Sequence, residues 1–181
     1  MKNSNLKKIA IIALMCALSY IGCMFLSFKV ANSIYIHLGN VFCLLTALML
    51  GGIEGGIAGA IGMGLADLTD GYHALSCPKT IVCKMVMALC VGMLAHKVFK
   101  VNETNSKKGL FFSLLLGILV NIIFEICFGY IYYYFILGTV NDTFTVFIAS
   151  KIISVSVTSV VTLIVTFILY FPLYNRVKSY L

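Results

Sequence analysis

Four polar side chains stand in otherwise apolar stretches of this sequence: Lys84, Asn121, Glu125 and Lys151. Amines, a carboxamide and a carboxylate in such surroundings have two uses. They can pair as a buried ion cluster that fixes packing, or line a cavity and hold a polar ligand through charge-assisted hydrogen bonds. Asn121 and Glu125 are four residues apart and share a face on a helix. Two lysines against one carboxylate leave the group short of acceptors, which favours an acceptor-rich ligand, and the structural and binding roles are compatible. Tyr130, Tyr133 and Tyr134 follow closely and offer rings for stacking, although a cluster of this kind also suits an interfacial aromatic belt.

A second tier lies in the polar breaks between apolar runs: His37, Asn40, Asp67, Asp70, Tyr72, His73, Lys79 and Thr80. The segment 72–79, bounded by Gly71 and Pro78, has the length and polar-aromatic character of a lid over a pocket mouth. His96, at the opposite end of its apolar run, reads as a lipid-headgroup contact. Catalytic machinery is missing. There is no H-E-x-x-H, no serine nucleophile with an accompanying base and no G-x-x-x-x-G-K-[ST], so neither an enzyme nor an ATPase is expected. The seven cysteines contain no C-x-x-C, and His73 with Cys77 is the one pair resembling half of a metal site. Neither a metal nor a catalytic cofactor is called for.

The elements that must position these groups follow from composition. Of 181 residues, 61% are hydrophobic and only 10% charged, with a mean hydropathy of +1.06. Too few polar residues are available to cover a soluble surface, so the solvent for most of the chain is lipid. The net charge of +7 does not signal nucleic acid, because the basic residues sit at the ends of apolar runs.

The expected architecture is an all-α membrane protein, one polytopic domain over 1–181, with helices at about 9–28, 38–50, 53–68, 80–98, 109–132 and 144–173. The run 41–66 is read as two short helices folded back at Gly51-Gly52. That reading puts nine of the thirteen basic residues (Lys2, Lys7, Lys8, Lys97, Lys100, Lys107, Lys108, Arg176 and Lys178) on one side, which the positive-inside rule makes cytoplasmic together with both termini. Residues 101–108 form the cytoplasmic linker, and Lys29 and Lys79 fall in outer loops. Lys84, Glu125 and Lys151 then lie roughly 7–10 Å below the outer ends of three consecutive helices. The glycines of the third helix let neighbouring backbones approach closely, as does the small face of Ala13 and Ala17 on the first. That alanine face suits either packing within the chain or a partner helix.

The chain resembles the substrate-binding S components of energy-coupling factor (ECF) vitamin transporters, in the group of riboflavin, pyridoxine and hydroxymethylpyrimidine carriers. The similarity is carried by Ile36-His37-Leu38-Gly39-Asn40, Leu50-Gly51-Gly52-Ile53-Glu54-Gly55-Gly56, Gly62-Met63-Gly64-Leu65-Ala66-Asp67-Leu68, Gly71-Tyr72, and Pro78-Lys79-Thr80-Ile81-Val82-Cys83-Lys84. It implies a prokaryotic plasma-membrane component that captures a vitamin in an outer pocket built from helices four to six and the first, third and fifth loops. It further implies that Ala13 and Ala17 meet a transmembrane coupling subunit bound to two ATP-binding subunits, which would drive delivery inward. The stretch from Pro78 to Lys84 departs from the riboflavin carriers, which tilts the expected ligand toward a pyridoxine- or hydroxymethylpyrimidine-like ring. The alternatives are a solitary carrier or channel, and a structural membrane subunit. A channel would need polar groups through both leaflets, whereas here they gather in the outer half.

Overall fold

The computed structural model describes residues 2–31, 34–71, 74–136, 138 and 144–178. Helix α1 runs Lys2–Met24, earlier at both ends than the apolar run suggests. A short antiparallel hairpin follows where the sequence reading extends the helix to Phe28: β1 (Ser27–Ala31) pairs with β2 (Ile34–His37), with Ser27 opposite His37, Phe28 opposite Ile36 and an irregularity between Lys29 and Ala31. Its residues are β-branched and aromatic at alternate places, a composition suited to strands. The run is apolar enough to resemble the end of a span, and only the pairing distinguishes the two. The hairpin leans on α1 and on the last long helix, and the Leu38 amide donates to the Gly22 carbonyl at 3.0 Å.

Helix α2 (Gly39–Met49) has eleven residues, about 16 Å. All but Phe42 are buried, which explains why its sequence shows no polar stripe. The chain reverses at Gly51, whose φ of +138° suits only glycine, and α3 (Gly52–Thr69) returns beside it. Helix α3 packs on α1, α2 and the next long helix together. A Cβ at Gly62 would strike the Cys16 carbonyl and Ser19 of α1, and one at Gly55 would strike Ala47 of α2. The glycine-rich sequence is thus the condition for three close neighbours.

After a single 3₁₀ turn (Ala74–Ser76), α4 spans Cys77–Met93 with Pro78 in its first turn, where a missing N–H costs nothing. It continues through a wider turn at Leu94–Val98. The expected polar linker folds instead into a one-turn helix, α5 (Val101–Thr104), between Lys100 and Asn105, both of positive φ. Its Asn102 donates to the Leu48 carbonyl at 3.2 Å and accepts from the Tyr170 hydroxyl, while His96 donates to the Ala47 carbonyl at 3.1 Å. These side chains satisfy the last carbonyls of α2, which has no further turn to do so. His96 is therefore an internal cap rather than a headgroup contact. Helix α6 (Lys107–Ile131) starts at Ser106, whose hydroxyl accepts from the Gly109 amide at 3.1 Å, and ends in a wide turn, Tyr132–Ile136. Helix α7 covers Phe144–Val177, about 51 Å, longer than the hydrocarbon layer.

The buried core joins Leu44, Leu48, Met87, Val91, Leu114 and Tyr170 from four helices. Among the described residues, four helical stretches are long and apolar enough to cross a membrane: Asn5–Met24, Ala74–Val98, Lys107–Ile136 and Ala149–Val177.

Candidate functional site

Glu125 is the meeting point of the polar groups. Its Oε2 accepts from Lys84 Nζ at 3.1 Å, and its Oε1 lies 3.5 Å from Lys79 Nζ. Asn121, one turn earlier on α6, reaches Oε2 through Nδ2 at 3.5 Å. Both lysine side chains are almost fully buried. The sequence reading placed Lys79 in an outer loop; α4 in fact starts two residues before it, so this lysine projects from the helix's first turn. Helix initiation at Cys77-Pro78 is the signal that could have located it. Two cations on one carboxylate make a strongly coupled cluster, since removing the carboxylate strands both charges in a poorly solvated place.

Around this cluster opens a cavity of about 220 Å³. A cavity of roughly 150 Å³ admits benzene, so this one has room for a substituted ring. Every α-helix except the one-turn α5 contributes. The end of α1 gives Cys23 and Met24, the hairpin Ser27 and His37, and α2 gives Asn40; α3 supplies Met63, Ala66, Asp67 and Asp70. From the far side come Ser76, Lys79, Thr80 and Lys84, then Glu125 of α6 and Lys151, Ser154, Val155 and Thr158 of α7. The hydroxyl of Thr80 donates to Asp67, tying α4 to the end of α3. Three lysines therefore face three carboxylates on the lining, a balance that the excess of lysine over Glu125 in the sequence reading did not anticipate.

Of the sequence-predicted residues, Lys84, Asn121, Glu125, His37, Asn40, Asp67, Thr80 and Lys151 are brought together at or directly behind this cavity. The tyrosines are not. Tyr133 is buried beside the cluster, its hydroxyl 2.6 Å from Ser76 Oγ and its ring 5.8 Å from Lys79 Nζ. Tyr130 and Tyr134 stack on each other at 5.8 Å and are exposed. Tyr130 and Tyr133 border an adjoining niche of about 20 Å³ and do not line the main cavity. Tyr72 and His73 lie outside the described residues. Of the expected lid segment, residues 74–79 form the 3₁₀ turn and the first turn of α4. Ala13 and Ala17 are exposed on α1. Of the hairpin's two lining residues, His37 was named from the sequence, whereas Ser27 was missed because residues 27 and 28 read as the end of the first helix. Ser154 and Thr158 were missed, although their spacing, three and seven residues after Lys151 on one helical face, was a signal that could have found them.

Chemically, the site offers cationic donors, carboxylate acceptors and a carboxamide around a ring-sized space, with no activated nucleophile. Among the described residues, no three His, Cys, Asp and Glu side chains come close enough to hold a metal ion.

Comparisons with known proteins bear on this geometry. No curated protein matches the sequence. A solved structure described as the S component of a bacterial ECF transporter superposes with a TM-score of 0.65 at 18% identity, covering 96% of this chain and 99% of that one; at this identity the match speaks for the fold. The family model for the S component of ECF-type riboflavin transporters matches residues 3–175. A helical chain with a ligand-sized polar cavity and apolar helices long enough for a membrane location, matched over nearly its whole length, belongs to the ECF-type riboflavin transporter S-component family, a family of transport components and not of enzymes.

Proposed function

We propose that this chain is the membrane-embedded binding component of an ECF importer, and that the cavity around Lys84 and Glu125 captures a water-soluble vitamin or precursor of pyridoxine, hydroxymethylpyrimidine or riboflavin type. The observation that carries the reading is the cavity itself. A ring-sized space lined by three lysines, three carboxylates and Asn40 is costly in a membrane protein unless a ligand uses those groups. The chain would cross the membrane six times with both termini cytoplasmic, which follows from the nine basic residues gathered at one end. The cavity then opens outward. A transmembrane coupling subunit would dock on the exposed Ala13 and Ala17, and two ATP-binding subunits would supply the energy that this chain has no motif to harvest.

The test is calorimetric titration of the purified protein, in mild detergent, with riboflavin, pyridoxine and 4-amino-5-hydroxymethyl-2-methylpyrimidine, beside native mass spectrometry for a co-purified small molecule. Binding of one of these at micromolar or tighter affinity is expected. No binding and no co-purified ligand would overturn the reading in favour of a structural subunit.

A further inference from the structure

Asn40 is 4% exposed, lines the cavity, and its Oδ1 accepts no hydrogen bond. Buried carboxamides are nearly always satisfied, and an orphaned acceptor in a native fold calls for an explanation. Its position adds a second fact. Asn40 is the second residue of α2, and Leu38 at the N-cap supplies no side-chain cap. The Val41 amide is taken by the Leu38 carbonyl at 3.0 Å, while the amides of Gly39 and Asn40 have no partners within the helix, so donors and a lone acceptor lie together at one edge of the cavity. Replacing Asn40 by an apolar residue would relieve the orphan, so the fold itself gains nothing from it.

We infer that Asn40 and the uncapped start of α2 form a subsite for the edge of an uncharged nitrogen heterocycle that presents a donor beside an acceptor, as a lactam, an imide or an amino-substituted ring nitrogen does. The ligand's N–H donates to Asn40 Oδ1, and its adjacent carbonyl or ring nitrogen accepts from the helix amides. The balance of three lysines and three carboxylates on the lining fits a ligand without net charge. This inference rests on the vitamin-binding reading above and narrows it: riboflavin and the aminopyrimidine carry such an edge, and pyridoxine does not.

The experiment uses the full chain in detergent and the same three probes. One edge-bearing probe should bind at least tenfold more tightly than pyridoxine. Its edge-blocked analogue, N3-methylriboflavin or the pyrimidine lacking the 4-amino group, should bind at least tenfold more weakly. Asn40→Leu should weaken the parent probe by at least tenfold while leaving the unfolding midpoint of the empty protein unchanged or raised, which a purely structural asparagine would not do. Should the variant fail to fold, the analogue comparison on the wild-type chain decides alone. Pyridoxine as the tightest ligand, equal binding of the blocked analogue, or an unchanged dissociation constant in Asn40→Leu overturns the subsite and leaves the vitamin-binding reading standing. Absence of binding by every probe removes both.

Discussion

Glu125 accepts from Lys84 and is ion-paired with Lys79 as well, and this asymmetry orders the consequences of mutation. Glu125→Gln leaves two nearly buried ammonium groups without their carboxylate, and loss of one member of a buried ion cluster costs about 3–5 kcal/mol. Lys84→Met leaves Glu125 with Lys79. Thermal unfolding of the empty proteins should therefore rank wild type above Lys84→Met, and Lys84→Met above Glu125→Gln; equal midpoints for the two variants would show the cluster is not coupled. Lys84→Met should also weaken ligand binding by about 1.5–3 kcal/mol where the ammonium donates to the ligand. Calorimetry checks this, and an unchanged dissociation constant would assign Lys84 to packing alone. By contrast Lys8, 2.5 Å from Glu54 but half exposed, makes the kind of pair that is worth about 0–1 kcal/mol.

Helix α3 shows how a sequence of low side-chain volume builds a site. Its glycines let α1, α2 and α4 close around it, which sets Asp67 within reach of Thr80. At Gly62 an added Cβ would lie 2.7 Å from Ser19 Cβ and against the Cys16 backbone, where a rigid neighbour cannot give way. Gly62→Val should cost about 1–3 kcal/mol or more through overpacking, read as a lower melting temperature and loss of monodisperse protein on size-exclusion chromatography. Gly71→Ala serves as the control. Nothing lies within 4 Å of its added Cβ, and a change within about 0.5 kcal/mol is expected.

For the whole molecule, the fold separates the cavity from the exposed alanine face proposed for coupling. The cavity is ringed by the hairpin, the start of α2 and residues of α1, α3, α4, α6 and α7, whereas Ala13 and Ala17 lie near the middle of α1 on an exposed face. Ala13→Trp should abolish uptake in cells that supply the coupling and ATP-binding subunits, because bulk blocks close helix approach. Its ligand affinity in detergent should be unchanged. Normal uptake would remove the docking assignment. Both termini are expected inside, so fluorescent-protein fusions at either end should be bright, and a dark fusion at one end would demand an odd number of crossings.

Much of this protein was determined by its sequence alone, because some properties are sums over residues. Apolar content selects lipid as solvent, the distribution of lysines carries the proposed orientation, and the Gly51-Gly52 break divides one long apolar run into α2 and α3. The polar set of Lys84, Asn121, Glu125 and Lys151 was legible for the same reason: each is expensive where it stands. Other properties belong to pairs of residues distant in sequence, and only the tertiary structure decided them. The start of β1 read as the end of the first helix because a strand and a helix end share one apolar composition until the strands meet. Lys79 looked solvated until α4 began early enough to turn it onto Glu125, forty-six residues away. His96 and Asn102 became caps because α2 stops short and its carbonyls need donors from elsewhere. The tyrosines stand beside the cavity rather than in its lining, which was not legible because spacing along a helix does not say which side a neighbour occupies. Helix α4 lies on one side of them, and Tyr132 and Tyr133 turned to bond Leu75 and Ser76.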